Sequence, residues 1–121
     1  MEQLPDHHLY LCTYNNVTAQ MRPVYEQLWR RAEELPNVHN LGFLPKEKLY
    51  RLLKACGMLV YPTPGGIDPS FREVSCIAAM EAMAAGLPMI TTGAGALAET
   101  TDGAGVIIEP DVDLFAGTIA E

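Results

Sequence analysis

Two glutamates separated by seven residues are the side chains best suited to chemistry in this chain. Glu73 begins residues 73–86, a segment of small and apolar side chains that reads EVSCIAAMEAMAAG, and Glu81 lies within it. A helix rises about 1.5 Å per residue, which would place the two carboxylates ~12 Å apart along its axis. Carboxylate pairs that hydrolyse glycosides lie about 5–9.5 Å apart. The spacing therefore favours two contacts with one extended ligand.

The start of the same segment offers another kind of contact. The pattern predicts a helix over residues 74–85, in which the backbone N–H groups of Val74, Ser75 and Cys76 have no partner inside the helix. Such amides, together with the helix dipole, bind an anion without a lysine. One consistent arrangement has sugar hydroxyls near Glu73, a pyrophosphate at the helix start and ribose hydroxyls near Glu81.

Glu81 keeps two interpretations. Apart from its glutamates the helix is apolar on every side, which predicts that it is buried. A buried carboxylate needs partners or a proton. Glu81 either pairs with a basic side chain or a neighbouring backbone group, or it accepts hydrogen bonds from ligand hydroxyls. The residues around it favour neither.

The elements that must position these residues alternate along the chain. Glycine and proline make residues 62–72 a loop. Alternating strands and helices predict an α/β fold with a parallel sheet flanked by helices. Ligands bind such sheets outside the carboxyl ends of the strands, where the glycine-rich segments after Tyr61 and Thr91 lie. Apolar runs predict strands at 9–12, 38–41, 58–61, 88–91 and 106–108, and helical spacing predicts helices at 24–35, 46–56, 74–85 and from 113 onward.

The glycine loop after residue 91 also keeps two interpretations. Gly93 and Gly95 either let the backbone approach a ligand or form a tight turn, and Thr92 would offer a hydroxyl beside them. Glu99, further on, is either a ligand contact or an exposed carboxylate at a helix end.

For the histidines and Cys76 the sequence favours a structural role. His7 and His8 are interpreted as a solvated pair and His39 as a structural residue, so no metal site is predicted. Cys76 is interpreted as a small residue that fills space beside a phosphate rather than as a nucleophile, because no histidine is near it in the sequence. Arg72 either pairs with the glutamate next to it or reaches a phosphate.

Composition narrows the class of protein. The 121 residues carry a formal charge of -7, which disfavours binding to nucleic acid and to anionic membrane surfaces. No apolar run approaches the ~20 residues that span a bilayer, and the first residues do not form a secretory signal. The three cysteines form no C-x-x-C pair, so we expect a reducing, cytoplasmic location.

The residues around the two glutamates resemble a known family. Glu73, the seven residues after it, Glu81, and then AMAAGLPMITT and GALAET are similar to the donor-site pattern of retaining GT-B glycosyltransferases, the glycosyl transferases group 1. The upstream run NVHNLGFLPKEKLYRLLKACGMLVYPT is similar to that family's approach to the donor site. The resemblance covers roughly residues 36–110 and implies a Rossmann-like parallel sheet, the C-terminal half of a two-domain GT-B enzyme.

The resemblance also implies site residues. Two departures concern the donor: Ser75 and Cys76 stand where the family often has Phe-Gly, and residues 65–68 lengthen the preceding loop. The family's arginine and lysine that clamp the diphosphate have no clear equivalent here. Matched by position, the site consists of Glu73 as the catalytic residue at the donor sugar, the backbone of Val74, Ser75, Cys76 and Ile77 near sugar and diphosphate, Glu81 at the ribose, and Thr92 and Gly93 as further donor contacts.

The function that follows is an expectation. Residues 1–121 would be a single nucleotide-sugar-binding domain of a longer protein, without the N-terminal acceptor domain and inactive alone. The whole enzyme would transfer a hexosyl group from a nucleotide-diphosphate sugar to a hydroxyl with retention, in polysaccharide biosynthesis, with no cofactor or metal. One alternative is a non-catalytic nucleotide-binding module or one that self-associates through an exposed interdomain face. A dinucleotide-binding Rossmann domain is disfavoured, because the G-x-G patterns come late in the chain.

Overall fold

The computed structural model describes residues 1–13, 17–63 and 73–121. The chain forms two compact units, residues 1–46 and residues 47–121. All paired strands of the described residues are parallel, in a sheet of two strands and a sheet of three. This confirms the predicted α/β class with parallel strands and intervening helices. The expectation of one domain over residues 1–121 stays a prediction.

The first unit is a strand–helix–strand unit. Strand β1 (Leu9–Cys12) pairs with β2 (Val38–Gly42), and helix α1 (Arg22–Glu33) connects them. Pro23 lies in the first turn of α1, where its missing N–H costs nothing. The bounds of β1 are those predicted from its apolar run, and α1 and β2 differ from prediction by one or two residues.

A buried asparagine organises the start of the first unit. The side-chain amide of Asn37 lies within hydrogen-bonding distance of the backbone carbonyls of Met1, Leu4 and His7, at 2.8–3.2 Å. These contacts hold the residues before β1 against the start of β2. The apolar residues buried in this unit are Leu4 and Ala32.

The second unit is built on a three-stranded sheet. Its strands are β3 (Leu59–Tyr61), β4 (Met89–Thr91) and β5 (Gly105–Ile107), with β4 in the middle. The helices are α2 (Lys46–Ala55), which begins at the boundary between the units, α3 (Ile77–Ala84), α4 (Leu97–Thr100) and α5 (Val112–Ala120). The short helix α4 was not predicted from the sequence. Most of the predicted loop at 62–72 lies outside the described residues.

The core of the second unit lies between α3 and the sheet. It consists of Cys76, Ala79, Ala82, Leu87, Met89 and Leu97. The alanines allow close approach of the helix to the strands, and Met89 and Leu97 fill the space behind them.

Helix α3 corrects two expectations. It begins at Ile77 rather than Val74, because Cys76 has an extended backbone and caps the helix through its sulfur. It is also buried on one face only, with Ala79 and Ala82 inside while Ile77 is 62% and Met80 43% exposed. The expectation that α3 is buried on all sides is therefore wrong. Small side chains suffice to pack its inner face, and the outer face has no neighbour among the described residues that covers it.

The three thiols differ in their surroundings. Cys12 is exposed at the end of β1, Cys56 is half-buried directly after α2, and Cys76 is buried. Burial raises the pKa of the Cys56 thiol.

Among the described residues, no helix combines the length and the apolar character needed to cross a bilayer.

Candidate functional site

Threonine hydroxyls join the carboxyl ends of β3 and β4. Tyr61 and Thr91 are paired at the last position of the two strands. The Thr91 hydroxyl donates to the Tyr61 carbonyl at 2.9 Å, and the Thr92 hydroxyl donates to the Thr63 carbonyl at 2.9 Å. Side-chain hydrogen bonds thus continue the contact between β3 and β4 beyond their last backbone pair. Thr92 was expected to offer its hydroxyl to a ligand, but its proton is directed to Thr63 and its oxygen keeps acceptor capacity.

Thr63 has a buried hydroxyl at the same edge. Its side chain is buried, and within the described residues its hydroxyl oxygen has no hydrogen-bond partner. Buried hydroxyls are nearly always paired, so an unpaired one is a candidate contact for a ligand or water.

Glu73 lies beside the end of β3. The Tyr61 hydroxyl donates to Glu73 Oε2 at 3.2 Å. Burial, followed by interactions with Cys76 and Glu73, raises the pKa of Tyr61 well above its ordinary value. The phenol therefore keeps its proton and remains a donor to the carboxylate.

The glycine loop after β4 contacts the backbone of Glu73. The Ala96 N–H donates to the Glu73 carbonyl at 2.7 Å. Gly95 has φ +59°, and an added Cβ would lie 2.5 Å from the Glu73 amide nitrogen. The structure gives Gly95 a role that neither interpretation named. Its missing side chain leaves room for the backbone of Glu73. Gly93 is exposed, and an added Cβ would make only an ordinary contact with Ile107.

The start of α3 follows directly. Cys76 Sγ accepts the Ala79 N–H at 3.4 Å, so the thiol fills space and caps the helix. Val74 and Ser75 precede the helix and are exposed. Their amides were expected in the first turn, which instead begins with Ile77. Ile77, which the resemblance placed near the sugar and diphosphate, is the first residue of the helix.

Glu81 lies in the middle of α3 and is half-buried. The Tyr50 hydroxyl of α2 donates to Glu81 Oε1 at 3.4 Å. A hydroxyl donor leaves the carboxylate acceptor sites for further hydrogen bonds. Both interpretations of Glu81 remain consistent with this contact.

The structure brings together some of the predicted residues. Glu73 and Cys76 both lie within reach of Tyr61, and the loop from Thr92 to Ala96 contacts Glu73. Tyr61, Tyr50 and Thr63 were not predicted. A tyrosine or threonine at or just after the end of a buried strand is the signal that would have pointed to Tyr61 and Thr63, whereas Tyr50 lies within α2 and carries no such signal. Arg72 lies outside the described residues, and Glu99 is exposed on α4.

The histidines form a contact of their own. His8 Nδ1 and His39 Nε2 are 2.9 Å apart, and the His39 ring stacks on Tyr10 with centroids 4.8 Å apart. His8 is thus in contact with His39, whereas the sequence analysis placed it in a solvated pair with His7. In the described part of the chain, no group of three or more His, Cys, Asp or Glu side chains is placed to hold a metal ion.

The family model for glycosyl transferases group 1 matches residues 3–121. This chain belongs to the group 1 glycosyltransferases. The parallel α/β arrangement is Rossmann-like and agrees with a GT-B domain of that family.

A relative of this chain is the O-antigen chain mannosyltransferase B of Escherichia coli. It is 31% identical over 96 residues, which cover 78% of this chain and 23% of that protein. The chain thus corresponds to about a quarter of the relative's length. No solved structure matches the chain.

Proposed function

We propose that this domain binds the nucleotide-diphosphate sugar donor of a glycosyltransferase that transfers a hexosyl group to a hydroxyl acceptor with retention. The observation that supports this most is the placement of Glu73. Its backbone and carboxylate are both held at the carboxyl edge of the β3–β4–β5 sheet, beside the start of α3. Ligands of parallel α/β sheets bind at that edge.

Different residues contact different parts of the donor. Glu73 accepts hydrogen bonds from the sugar hydroxyls, and the backbone from Val74 to Ile77 lies near the diphosphate. Cys76 keeps this backbone in place through its cap on Ala79. The dipole of α3 favours the negative diphosphate at its N-terminus.

Glu81 binds the ribose hydroxyls in this proposal. A carboxylate accepts hydrogen bonds from two neighbouring hydroxyls at once, which suits a ribose. The Tyr50 hydroxyl holds one of its oxygens. Thr92 and Gly93 lie on the loop after β4 and contact the donor from that side.

The chemistry requires no protein nucleophile. The bond from the anomeric carbon to the diphosphate breaks, and a bond from the same carbon to the acceptor oxygen forms on the same face. The acceptor proton leaves with the departing diphosphate. Backbone amides at the start of α3 stabilise the charge that develops on the diphosphate oxygen.

The rest of the enzyme supplies the acceptor. We propose a cytoplasmic enzyme of polysaccharide biosynthesis with an acceptor-binding domain that faces this one, without a cofactor or metal. The relative is named a mannosyltransferase, so GDP-mannose is the first donor to test. This domain alone is expected to bind donor without transferring sugar.

The test is saturation-transfer NMR of this chain with UDP, GDP and ADP and with their sugar conjugates. We expect transfer to the ribose protons of one nucleotide and its loss in Glu81→Gln. Glu33→Gln on α1 is the matched control, since Glu33 is exposed in the first unit. Binding that survives Glu81→Gln would contradict the ribose role. Absence of transfer from every nucleotide, with a folded chain, would contradict donor binding.

A second candidate function is self-association. Strand β5 is an edge of its sheet, and Val106 and Ile107 on it are about half exposed. Val74 is a further exposed apolar residue, at 83%. Such surface favours association with a second copy. Sedimentation velocity over a concentration series tests this, and a monomer at all concentrations would contradict it.

A further inference from the structure

The backbone of Glu73 is fixed by the loop that follows β4. Gly95 approaches it so closely that an added Cβ would lie 2.5 Å from the Glu73 amide nitrogen and still closer to its carbonyl oxygen. Both are backbone atoms and cannot turn aside. The Ala96 N–H donates to the same carbonyl at 2.7 Å. This loop therefore determines where the Glu73 backbone lies, and only glycine fits at position 95.

The side chain of Glu73 is fixed from the opposite direction. The Tyr61 hydroxyl donates to Oε2 at 3.2 Å. Tyr61 is itself the last residue of β3, and its carbonyl accepts the Thr91 hydroxyl at 2.9 Å. The donor that orients the carboxylate is thus carried by a strand rather than by a mobile side chain at the surface.

We propose that Tyr61 and Gly95 are positioning residues that fix how Glu73 meets the sugar of the donor, an inference that rests on the proposed function. The bond to Oε2 sets the plane of the carboxylate and leaves it acceptor capacity for the sugar hydroxyls. Gly95 sets the position of the backbone from which the carboxylate extends. A carboxylate that is ordered before the sugar arrives loses less freedom on binding.

This arrangement separates the two parts of the donor. Tyr61 and Gly95 act on Glu73, whereas Glu81 and its Tyr50 partner are assigned to the ribose. Loss of the Tyr61 hydroxyl should lower the affinity gained from the sugar and leave the affinity for the bare nucleotide unchanged. Gly95→Ala displaces the Glu73 backbone next to Val74, so it should lower the sugar gain and weaken nucleotide binding as well. A merely structural role in the sheet would weaken both alike.

The experiment measures the sugar gain, defined as Kd of the nucleotide divided by Kd of its sugar conjugate. Calorimetry is performed on this chain with the pairs UDP and UDP-glucose, GDP and GDP-mannose, and ADP and ADP-glucose. Tyr61→Phe removes only the hydroxyl, and Tyr25→Phe on α1 is its matched control. Gly95→Ala is compared with Gly103→Ala, because Gly103 also has a positive φ (+72°) but an added Cβ there meets nothing within 4 Å.

We expect Tyr61→Phe to reduce the sugar gain about tenfold, with the nucleotide Kd unchanged. Gly95→Ala should reduce it at least as much, and both controls should keep it. Where Gly95→Ala does not fold, as circular dichroism would show, Tyr61→Phe decides. The result that overturns the inference alone is a full sugar gain in Tyr61→Phe, or equal weakening of both ligands. A folded wild-type chain that binds no nucleotide overturns the proposed function and the inference with it.

Discussion

Residues 1–46 and residues 47–121 differ in the size of their buried apolar core. In the first unit, the buried Asn37 binds the carbonyls of Met1, Leu4 and His7, and α1 leaves Val24 and Leu28 exposed. In the second unit, apolar side chains from α3, β4 and α4 form one continuous core. The first unit thus combines two buried apolar side chains with the hydrogen bonds of one asparagine, whereas the second unit depends on a larger packed cluster.

The difference matters for the candidate site. Glu73, Tyr61 and the glycine loop all belong to the unit with the apolar core. A site that must hold a carboxylate within a fraction of an ångström needs surroundings that do not yield, and close packing provides them. Substitutions in each unit should separate these two modes of stabilisation.

The largest effect is expected at the centre of the second unit. Leu97 is completely buried, so Leu97→Ala leaves a cavity and should lower the free energy of unfolding by about 2–5 kcal/mol. Leu28→Ala on α1 is the control, since Leu28 is 59% exposed, and it should change stability by less than about 0.5 kcal/mol. Urea unfolding with hydrogen exchange of β4 measures both, and equal losses would contradict the comparison.

The first unit is expected to lose stability when Asn37 is replaced. Asn37→Ala removes the donor to three carbonyls and should cost about 1–3 kcal/mol. Trp29 on α1 is the single tryptophan of the chain, so its fluorescence follows unfolding of the first unit. An unchanged midpoint of urea unfolding would show that the Asn37 hydrogen bonds do not stabilise the first unit. Asn40→Ala, which removes one acceptor for the Gly42 N–H, should cost less.

Two glycines of the second unit should respond in opposite directions. At Gly105 of β5 an added Cβ would lie 2.7 Å from the Met89 carbonyl oxygen, so Gly105→Ala should destabilise by about 1–3 kcal/mol. At Gly117 of α5 an added Cβ meets nothing within 4 Å, and Gly117→Ala should stabilise by about 0.5–1 kcal/mol. Thermal unfolding measures both signs. A stable Gly105→Ala variant would mean that packing at β5 does not limit the sheet, and a destabilised Gly117→Ala variant would contradict the gain expected on α5.

The smallest effect is a dependence on pH. Because the pKa of Tyr61 is raised in the folded state, its contribution to stability is fully present below the ordinary tyrosine pKa of about 10. Above that pH the unfolded chain loses the proton first, so the free energy of unfolding falls as pH rises. Urea unfolding from neutral to alkaline pH should show a shallower fall in Tyr61→Phe. An identical slope in the two proteins would contradict the assignment.

Local patterns predicted most of the fold. The apolar run at Leu9–Cys12 and the helical spacing in Lys46–Ala55 both became the expected elements, because each depends on neighbours within a few residues. The start of α3 was placed too early. It is decided by the extended backbone of Cys76 and by the hold of Ala96 on Glu73, and propensity within the helix carries no information on either.

The candidate site was predictable only in part. The two glutamates stand out by spacing and by the family resemblance, but the residues that hold them do not. The contact between Gly95 and Glu73 joins positions 22 residues apart in the sequence, and the bond from Tyr61 crosses from a strand end to the approach of a helix. Such contacts arise from tertiary packing, so a glycine or a tyrosine alone does not reveal its partner.

The three thiols are buried to different extents. Their rates of modification in the wild-type chain can therefore report the opening of the second unit. Cys12 is exposed, whereas Cys76 is enclosed in the core of the second unit. An uncharged alkylating reagent should therefore modify Cys12 from the folded state and reach Cys76 only in molecules whose second unit has opened. The ratio of the two rates reports how often that core opens. Donor binding near Cys76 would slow the second reaction and leave the first unchanged, so ligand protection can be followed by mass spectrometry without any substitution.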